Sequence, residues 1–392
     1  MNQDIDALLE KYIDHISDKY ESRVNYNVKE FVRGFALYLN TQLPAQEIRS
    51  AENGGVAVIT EYHNHLTGGR YYTWMVALAL VEAGIQTTVY TNKPPTFVRE
   101  FSQFKQPRIE IIGKTGADLS SARIRADAYI GSPINGSLSA LRNGQRFKKP
   151  SYPMIFDPLP MIEKYQNKNR FVGWNALVAE IKESDTKIMT LCKSVHPYIH
   201  DWLNKSEDKL FPVYPCINSQ AKALAKKAPR EDFVLFMSRL VPNKRLNHVL
   251  AACKDNRINL KIITSASGID HTKLIRESGM MQRTEVLFNV SDVEKFELIY
   301  KSRAVINGSI FEGFGMWLAE AIACGTPAVC YQYPTFSEIR NHSLATNVYM
   351  ATWNEPKALS QQLARALDEQ KYTQGTTIFD FQSMVDRVKE LC

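Results

Sequence analysis

The chain has 392 residues, 44% hydrophobic and 23% charged, which suits two globular domains and argues against a disordered or fibrous protein. Its net charge of +7 favours anionic ligands such as nucleoside diphosphates, acidic lipid or nucleic acid, without choosing among them. No run of eighteen apolar residues occurs and the six cysteines lack CxxC spacing, so a membrane-spanning helix, a disulfide frame and a cysteine-bound zinc site are not expected.

The opening MNQDIDALLEKYID is acidic where a secretory leader would be basic and then apolar. The protein is therefore expected to be cytoplasmic, with attachment to the inner face of a membrane as the second reading. Ile5, Leu8, Leu9, Tyr12, Ile13, Ile16 and Tyr20 fall at helical spacing, and Val28, Phe31, Val32, Phe35 and Leu39 begin a second stripe. Residues 1–50 thus read as a helical extension. Asp4, Asp6, Glu10, Asp14 and Asp18 on its polar face argue against an anionic bilayer, leaving packing on the main body first and a dimer contact second.

Residues 51–218 read as a first α/β domain. Gly55–Thr60 is a buried strand, followed by the loop EYHNHLTGGRYY, a helix to about Val81 and a strand at Gln86–Thr91, a parallel β-loop-α-β unit. Ligands bind such sheets at the carboxyl ends of strands, which puts Gly68 and Gly69 at the mouth of a cleft; a plain tight turn accounts for the two glycines equally well. His63 and His65 share that loop as candidate acid-base groups, against the commoner hydrogen-bonded loop histidine. Asp127–Gly131 and Tyr152–Phe156 read as further strands. Between them RNGQRFKKP reads as a basic loop whose Arg142, Arg146, Lys148 and Lys149 would attract a polyanionic acceptor if it faced the cleft, and would otherwise be solvated. Asp185–Leu191 is another strand, with SVHPYIHDWL as the helix after it.

A second α/β domain spans residues 219–375, with a terminal helix over 376–392. Phe233–Met237 is a strand, and Arg239 and Lys244 follow at a turn and helix start, a fork and a point charge aimed at one spot. Glu285–Asn289 is a strand leading to a helix with a capping box, Ser291 and Glu294. The central stretch is VINGSIFEGFGMWLAEAIACGTPAV, from Val305 to Val329: a short strand, the turn Glu312-Gly313-Phe314-Gly315, and a helix from Met316 to Cys324 closed by Gly325. Such a helix tip offers unpaired, positively polarised N–H groups, and glycines let a phosphate approach them. Glu312 and Glu320 are poor neighbours for phosphate and should meet hydroxyls instead, as a sugar and a ribose on either side of a diphosphate would supply. In YPTFSEIRN, Glu338 reads as a first-turn acid.

The spacing Glu-x7-Glu within EGFGMWLAEAIACGTPAV, behind the Arg-x4-Lys of Arg239 and Lys244, resembles the signature of retaining glycosyltransferases of the family-4 type. The resemblance covers about residues 54–392 and implies a GT-B fold: two Rossmann-like doubly wound domains facing a cleft. It implies transfer of a sugar from a nucleoside-diphosphate sugar, a UDP-sugar first, to a hydroxyl of a lipid-linked or cell-surface glycan, with no cofactor and no metal. Arg239, Lys244 and the N–H groups near Gly313, Phe314 and Gly315 would hold the diphosphate, with Gly68 and Gly69 close by. Glu312 would hold hydroxyls of the transferred sugar and Glu320 those of the ribose. The family often places a histidine at a strand end near the donor sugar; here the loops read GSPINGS and DPLPM, with Ser132, Asn135 and Asp157 as weak substitutes. Alternatives are a modified nucleic-acid base as acceptor, an idle nucleotide-sugar-binding partner of another transferase, and a GT-B epimerase or phosphorylase.

Overall fold

The computed structural model describes residues 54–62, 68–95, 98, 101–113, 115–157, 172–264, 269–288, 290–375 and 379–391. The expected N-terminal helices, with the dimer contact assigned to them, and His63 and His65 lie outside the described residues.

Two parallel sheets carry the chain. The first has seven strands: β1 (Val56–Thr60), β2 (Thr87–Thr91), β3 (Arg108–Ile111), β4 (Ala128–Ser132), β5 (Ser151–Ile155), β6 (Ile188–Thr190) and β7 (Leu210–Pro212), in the order β3-β2-β1-β4-β5-β6-β7. The second has six: β8 (Phe233–Met237), β9 (Asn259–Thr264), β10 (Thr284–Phe288), β11 (Ala304–Ile306), β12 (Ala328–Tyr331) and β13 (Val348–Ala351), in the order β10-β9-β8-β11-β12-β13. The described residues form two compact units. The first is drawn from Met1–Asn64, Gly84–Met154 and Arg170–Ile188, and the second from His65–Ala83, Ile155–Asn169 and Met189–Cys392.

The central strands are almost entirely apolar because helices cover both faces of a parallel sheet. VAVIT of β1 and FVLFM of β8 are buried at every position. In the first unit Ala57, Ile59, Tyr90, Ile124, Tyr129 and Ala140 share one core. In the second, Val234, Phe236, Val249, Leu250, Ile262, Ile306 and Tyr331 share another. Each sheet reverses its strand order once, between β1 and β4 in the first and between β8 and β11 in the second. In open α/β sheets the carboxyl ends flanking that reversal are where ligands bind.

Three expectations need correction. Gly68 and Gly69 are not in a loop but open the helix Gly68–Glu82, so their N–H groups belong to its unpaired first turn. RNGQRFKKP is not a loop: Arg142 and Arg146 lie in the helix Ile134–Phe147, and Lys148 is its left-handed cap. Glu338 is not a first-turn acid, because Pro334 takes the first position of the helix Pro334–His342 and leaves Glu338 in the second turn. The strand expected over Asp185–Leu191 is confined to Ile188–Thr190, β3, β7 and β13 are strands the pattern did not mark, and the capping box is present, Ser291 and Glu294 bonding each other's backbone N–H.

The helix Phe381–Val388 packs on the helix Gly68–Glu82 within the second unit, where Arg387 donates to the carbonyl of Pro212 at 2.9 Å. Cys192, Cys216, Cys253, Cys324 and Cys330 are buried and outside any disulfide.

Candidate functional site

The second unit gathers its charged side chains at the carboxyl ends of β8 and β11, the two strands at the reversal. After β8 the chain turns through Arg239 into a short 3-10 segment, Pro242–Lys244, before the helix Leu246–Asp255. After β11 it runs through Asn307 to Glu312. The two loops are tied together where Ile310 N–H donates to the carbonyl of Asn243 at 3.0 Å, and Asn307 steadies its own loop by accepting Ser309 N–H at 2.9 Å. These ties fix Lys244 against Glu312, with Nζ 2.5 Å from Oε1 and Ser309 Oγ donating to the same oxygen at 2.8 Å.

Asp157, just beyond β5, belongs to this cluster. The N–H of Gly313 bonds its carboxyl, and Lys244, Glu312 and Arg239 all act on it electrostatically. Burial pushes the Asp157 carboxyl up, while Lys244 and Arg239 pull it down and Glu312 adds to the push. By sequence Asp157 is only a weak substitute for the family histidine; nothing in DPLPM reveals which loop it will meet. Arg239 is exposed, and its guanidinium makes no hydrogen bond among the described residues.

Gly313 and Gly315 are glycines for reasons of space and dihedral. A Cβ on Gly313 would stand 2.1 Å from the carbonyl oxygen of Phe156 and 2.6 Å from Asp157 Oδ1. Gly315 has φ of +101°, a left-handed value that favours glycine, and caps the helix Met316–Ala323 without a side chain. Leu318 N–H turns back to the carbonyl of Gly315 at 3.0 Å, so the N–H groups of Met316 and Trp317 are the ones left for a ligand at that helix start. The Phe314 ring turns inward onto Phe379, centroid to centroid 5.2 Å, and Tyr214 at 6.4 Å, so Phe314 supplies backbone, not a ring, to this site.

Two contacts hold the turn from behind. Cys192 Sγ donates to the carbonyl of Gly313 at 3.1 Å, and Thr335 Oγ1 to that of Glu312 at 3.1 Å. The Cys192 segment is itself fixed by Glu338, whose carboxylate takes the N–H groups of Lys193 (3.0 Å) and Ser194 (2.7 Å) and the Tyr214 hydroxyl (2.5 Å). Burial alone would raise the Glu338 carboxyl, but these bonds outweigh it and hold it below the ordinary value. An acid with a lowered folded-state pKa stabilises fully above its unfolded value of 4.5 and loses that contribution as pH falls through the folded value. Thermal unfolding followed from about pH 6 to about pH 3 should therefore show a fall in Tm that Glu338→Gln flattens; parallel curves would assign the acid sensitivity elsewhere.

Glu320 stands apart from this cluster. It is buried in the helix Met316–Ala323 and paired with Lys295, whose Nζ is 2.7 Å from Oε1. Lys295 lies 2.8 Å from Asp292, which Asn218 also holds at 2.9 Å. Lys295 is not among the site residues expected from the sequence. Its signal was faint: one lysine in DVEKFELIYK at a spacing that only the packed helix turns inward.

Of the basic residues assigned to an acceptor, two are already engaged. Arg142 forks onto Glu180 at 2.6 and 3.0 Å, and Lys149 pairs with Asp127 at 3.0 Å. Arg146 and Lys148 are exposed. A Cβ on Gly69 would meet the Phe156 ring at 2.7 Å, so the helix start it opens sits close to the strand end that carries Asp157. In the first unit, at the carboxyl ends of β1 and β4, Asn135 Nδ2 donates to Glu61 Oε1 at 2.9 Å, and Asn135 Oδ1 is buried without a partner. Among the described residues no group of three or more His, Cys, Asp or Glu side chains is placed to hold a metal ion, and no helix is long and apolar enough to cross a membrane.

Residues 219–376 match the family described as Glycosyl transferases group 1. The O-antigen chain mannosyltransferase RfbU of Salmonella typhimurium is 23% identical over 207 residues, 51% of this chain and 58% of that protein. An uncharacterized glycosyltransferase of Methanocaldococcus jannaschii is 26% identical over 177 residues, 40% of this chain and 45% of that protein. The chain thus spans about half the length of these curated relatives. Among solved structures, HepE of Anabaena in complex with UDP and glucose superposes with a TM-score of 0.68 over 86% of this chain and 98% of that one at 14% identity. Sucrose-phosphate synthase of Thermosynechococcus elongatus gives 0.66 over 86% and 95% at 13% identity. Both sheets of the chain therefore have the Rossmann-like form of the GT-B fold, and residues 219–376 carry a Glycosyl transferases group 1 domain.

Proposed function

We propose that the protein is a retaining glycosyltransferase of the family-4 type, moving a sugar from a nucleoside-diphosphate sugar, a UDP-sugar first, to a hydroxyl of a lipid-linked or cell-surface glycan. The observation that carries the reading is the Lys244–Glu312 pair at the reversal point of the second sheet, beside Asp157 and an uncapped helix tip. HepE, in its complex with UDP and glucose, and RfbU, named for O-antigen chain mannose transfer, support the donor and acceptor classes. An O-antigen-like acceptor fits a protein that works at the inner face of a membrane.

In this mechanism the bond between the anomeric carbon and the β-phosphate oxygen breaks with its electron pair going to the phosphate. The acceptor oxygen bonds the same face of the sugar, and its proton passes to the departing phosphate oxygen. Lys244, Arg239 and the N–H groups of Phe314 and Gly315 stabilise the growing negative charge, and so act on the transition state more than on the bound donor. Glu312 holds hydroxyls of the transferred sugar. Asp157, from the loop where the family histidine is absent, faces the same sugar and keeps the Gly313 N–H in line. Glu320 receives the ribose hydroxyls.

The test is thermal shift across UDP-, GDP- and dTDP-sugars, since a ligand that binds only the folded state raises Tm. One donor class is expected to give a clear rise, and Glu320→Ala to remove it. No shift with any donor would dismiss the reading, and a full shift in Glu320→Ala would dismiss the ribose contact alone.

A further inference from the structure

We infer that Lys295, steadied by Asp292, keeps Glu320 available as a hydrogen-bond acceptor and thereby sets a preference for ribonucleoside over deoxyribonucleoside diphosphates; this rests on the ribose role proposed for Glu320. A carboxylate buried in a helix whose other side chains are almost all apolar needs a partner to remain charged, because burial favours the neutral acid. Lys295 is that partner. It reaches Oε1 at 2.7 Å, while Oε2 carries no hydrogen bond among the described residues and is the oxygen left for a ligand hydroxyl. Without the ammonium, the protonated carboxyl would offer one acceptor fewer and a donor where two ribose hydroxyls also need to donate.

The clamp is itself held in place. Asp292 takes the same Nζ at 2.8 Å and receives the Asn218 amide at 2.9 Å, and Asp292 opens a helix locked by the Ser291–Glu294 capping box. Lys295 therefore has two acids to balance, and one of them anchors it to a rigid helix start. Its ammonium is held well above the ordinary lysine value: burial opposes the charge, but Glu320 and Asp292 outweigh burial. Burial, with Asp292 adding to it, holds the Glu320 carboxyl above its ordinary value, and Lys295 offsets part of that rise. The other titratable groups facing this pair are Tyr71, from the helix Gly68–Glu82, and Cys324, at the end of the same helix as Glu320, with Lys222 beyond it. Burial raises both Tyr71 and Cys324, the thiol to about 12, so neither titrates near neutrality. Loss of Lys295 leaves Glu320 with burial and Asp292 alone, and both raise its pKa.

The sign of the expected effect follows. The ligand binds the ionised form of Glu320, so affinity is full above the carboxyl's folded-state pKa and is lost as pH falls through it. Lys295→Met moves that point upward.

Calorimetric titration of UDP and of 2′,3′-dideoxy-UDP, from about pH 6 to about pH 9, reads this directly, with GDP and ADP pairs substituted if uridine is not the base. Wild type is expected to prefer the ribonucleotide by roughly tenfold or more, the scale of hydrogen bonds to a charged group. In Lys295→Met the preference should shrink to within about threefold at low pH and return as pH rises. Lys295→Arg should restore it, and Asp292→Asn, which leaves the ammonium on Glu320 but loosens it, should lower the preference by less than Lys295→Met does. If Lys295→Met does not fold, Lys295→Gln removes the charge while keeping a donor and should show the same pH dependence.

A folded Lys295 variant with the wild-type preference at every pH overturns the inference. So does an Asp292→Asn variant that loses as much as Lys295→Met, since the cluster would then act through folding. Binding of UDP without ribose preference in wild type defeats the role of Glu320 and this inference while leaving the nucleotide-sugar reading standing. Failure to bind any diphosphate defeats both.

Discussion

Lys244→Met is expected to lower turnover by roughly 10²–10³-fold, the cost of removing one preorganised stabiliser of developing charge, and also to lower stability. The second effect follows from burial. Lys244 and Glu312 are 8% and 16% exposed, so deleting the cation leaves Glu312 with Ser309 alone and a largely dehydrated charge. Breaking such a pair costs about 3–5 kcal/mol when burial is complete and less here. Arg239→Ala provides the contrast. Its guanidinium is exposed and carries no hydrogen bond among the described residues, so the same loss of turnover should come with almost no change in Tm. Steady-state rates with a donor found by thermal shift, alongside urea unfolding of both variants, separate the two. Equal stability losses would mean that Arg239 is structural. Unchanged turnover in Lys244→Met would remove it from the chemistry.

Gly313→Ala should cost more activity than its single methyl suggests. The added carbon would lie 2.1 Å from the Phe156 carbonyl oxygen, which is backbone and cannot rotate away. The turn must therefore retreat from the strand end that carries Asp157, breaking the bond from Gly313 N–H. Overpacking of this kind costs about 1–3 kcal/mol in stability. The displacement also moves the N–H groups of the helix tip, where an error of about 1 Å can cost roughly 100-fold in rate. The expected signature is a Tm only modestly below wild type with kcat reduced by about two orders of magnitude. A variant that keeps its rate would show that the turn adapts and that its N–H groups do not hold the reacting phosphate.

The fold was legible wherever local pattern and tertiary placement agree. Strands such as GVAVIT and FVLFM are almost entirely apolar because helices cover both faces of a parallel sheet, and that composition is visible in one dimension. The helix Ile134–Phe147 was not legible. GSPING reads as a turn by its glycines, serine and proline, yet Gly136 belongs in the helix, where a Cβ would meet the Ile59 carbonyl at 2.3 Å. Small residues there serve close packing of helix on strand, which turn statistics cannot distinguish from chain reversal. The basic run RNGQRFKKP was misread with it: Arg142 already has a fixed partner in Glu180, thirty-eight positions away.

By itself the sequence determined the parallel α/β class, the strand-turn-helix around Gly313 and the two acids that bracket it, because helix periodicity, glycine dihedrals and capping act over a few residues. Only the tertiary structure decided the pairings: Lys244 with Glu312, Asp157 with Gly313, and Lys295 with Glu320. Each joins side chains brought together by strand order or by packing between helices. Charge also acts through space, so its strength depends on burial, which no local stretch of sequence specifies.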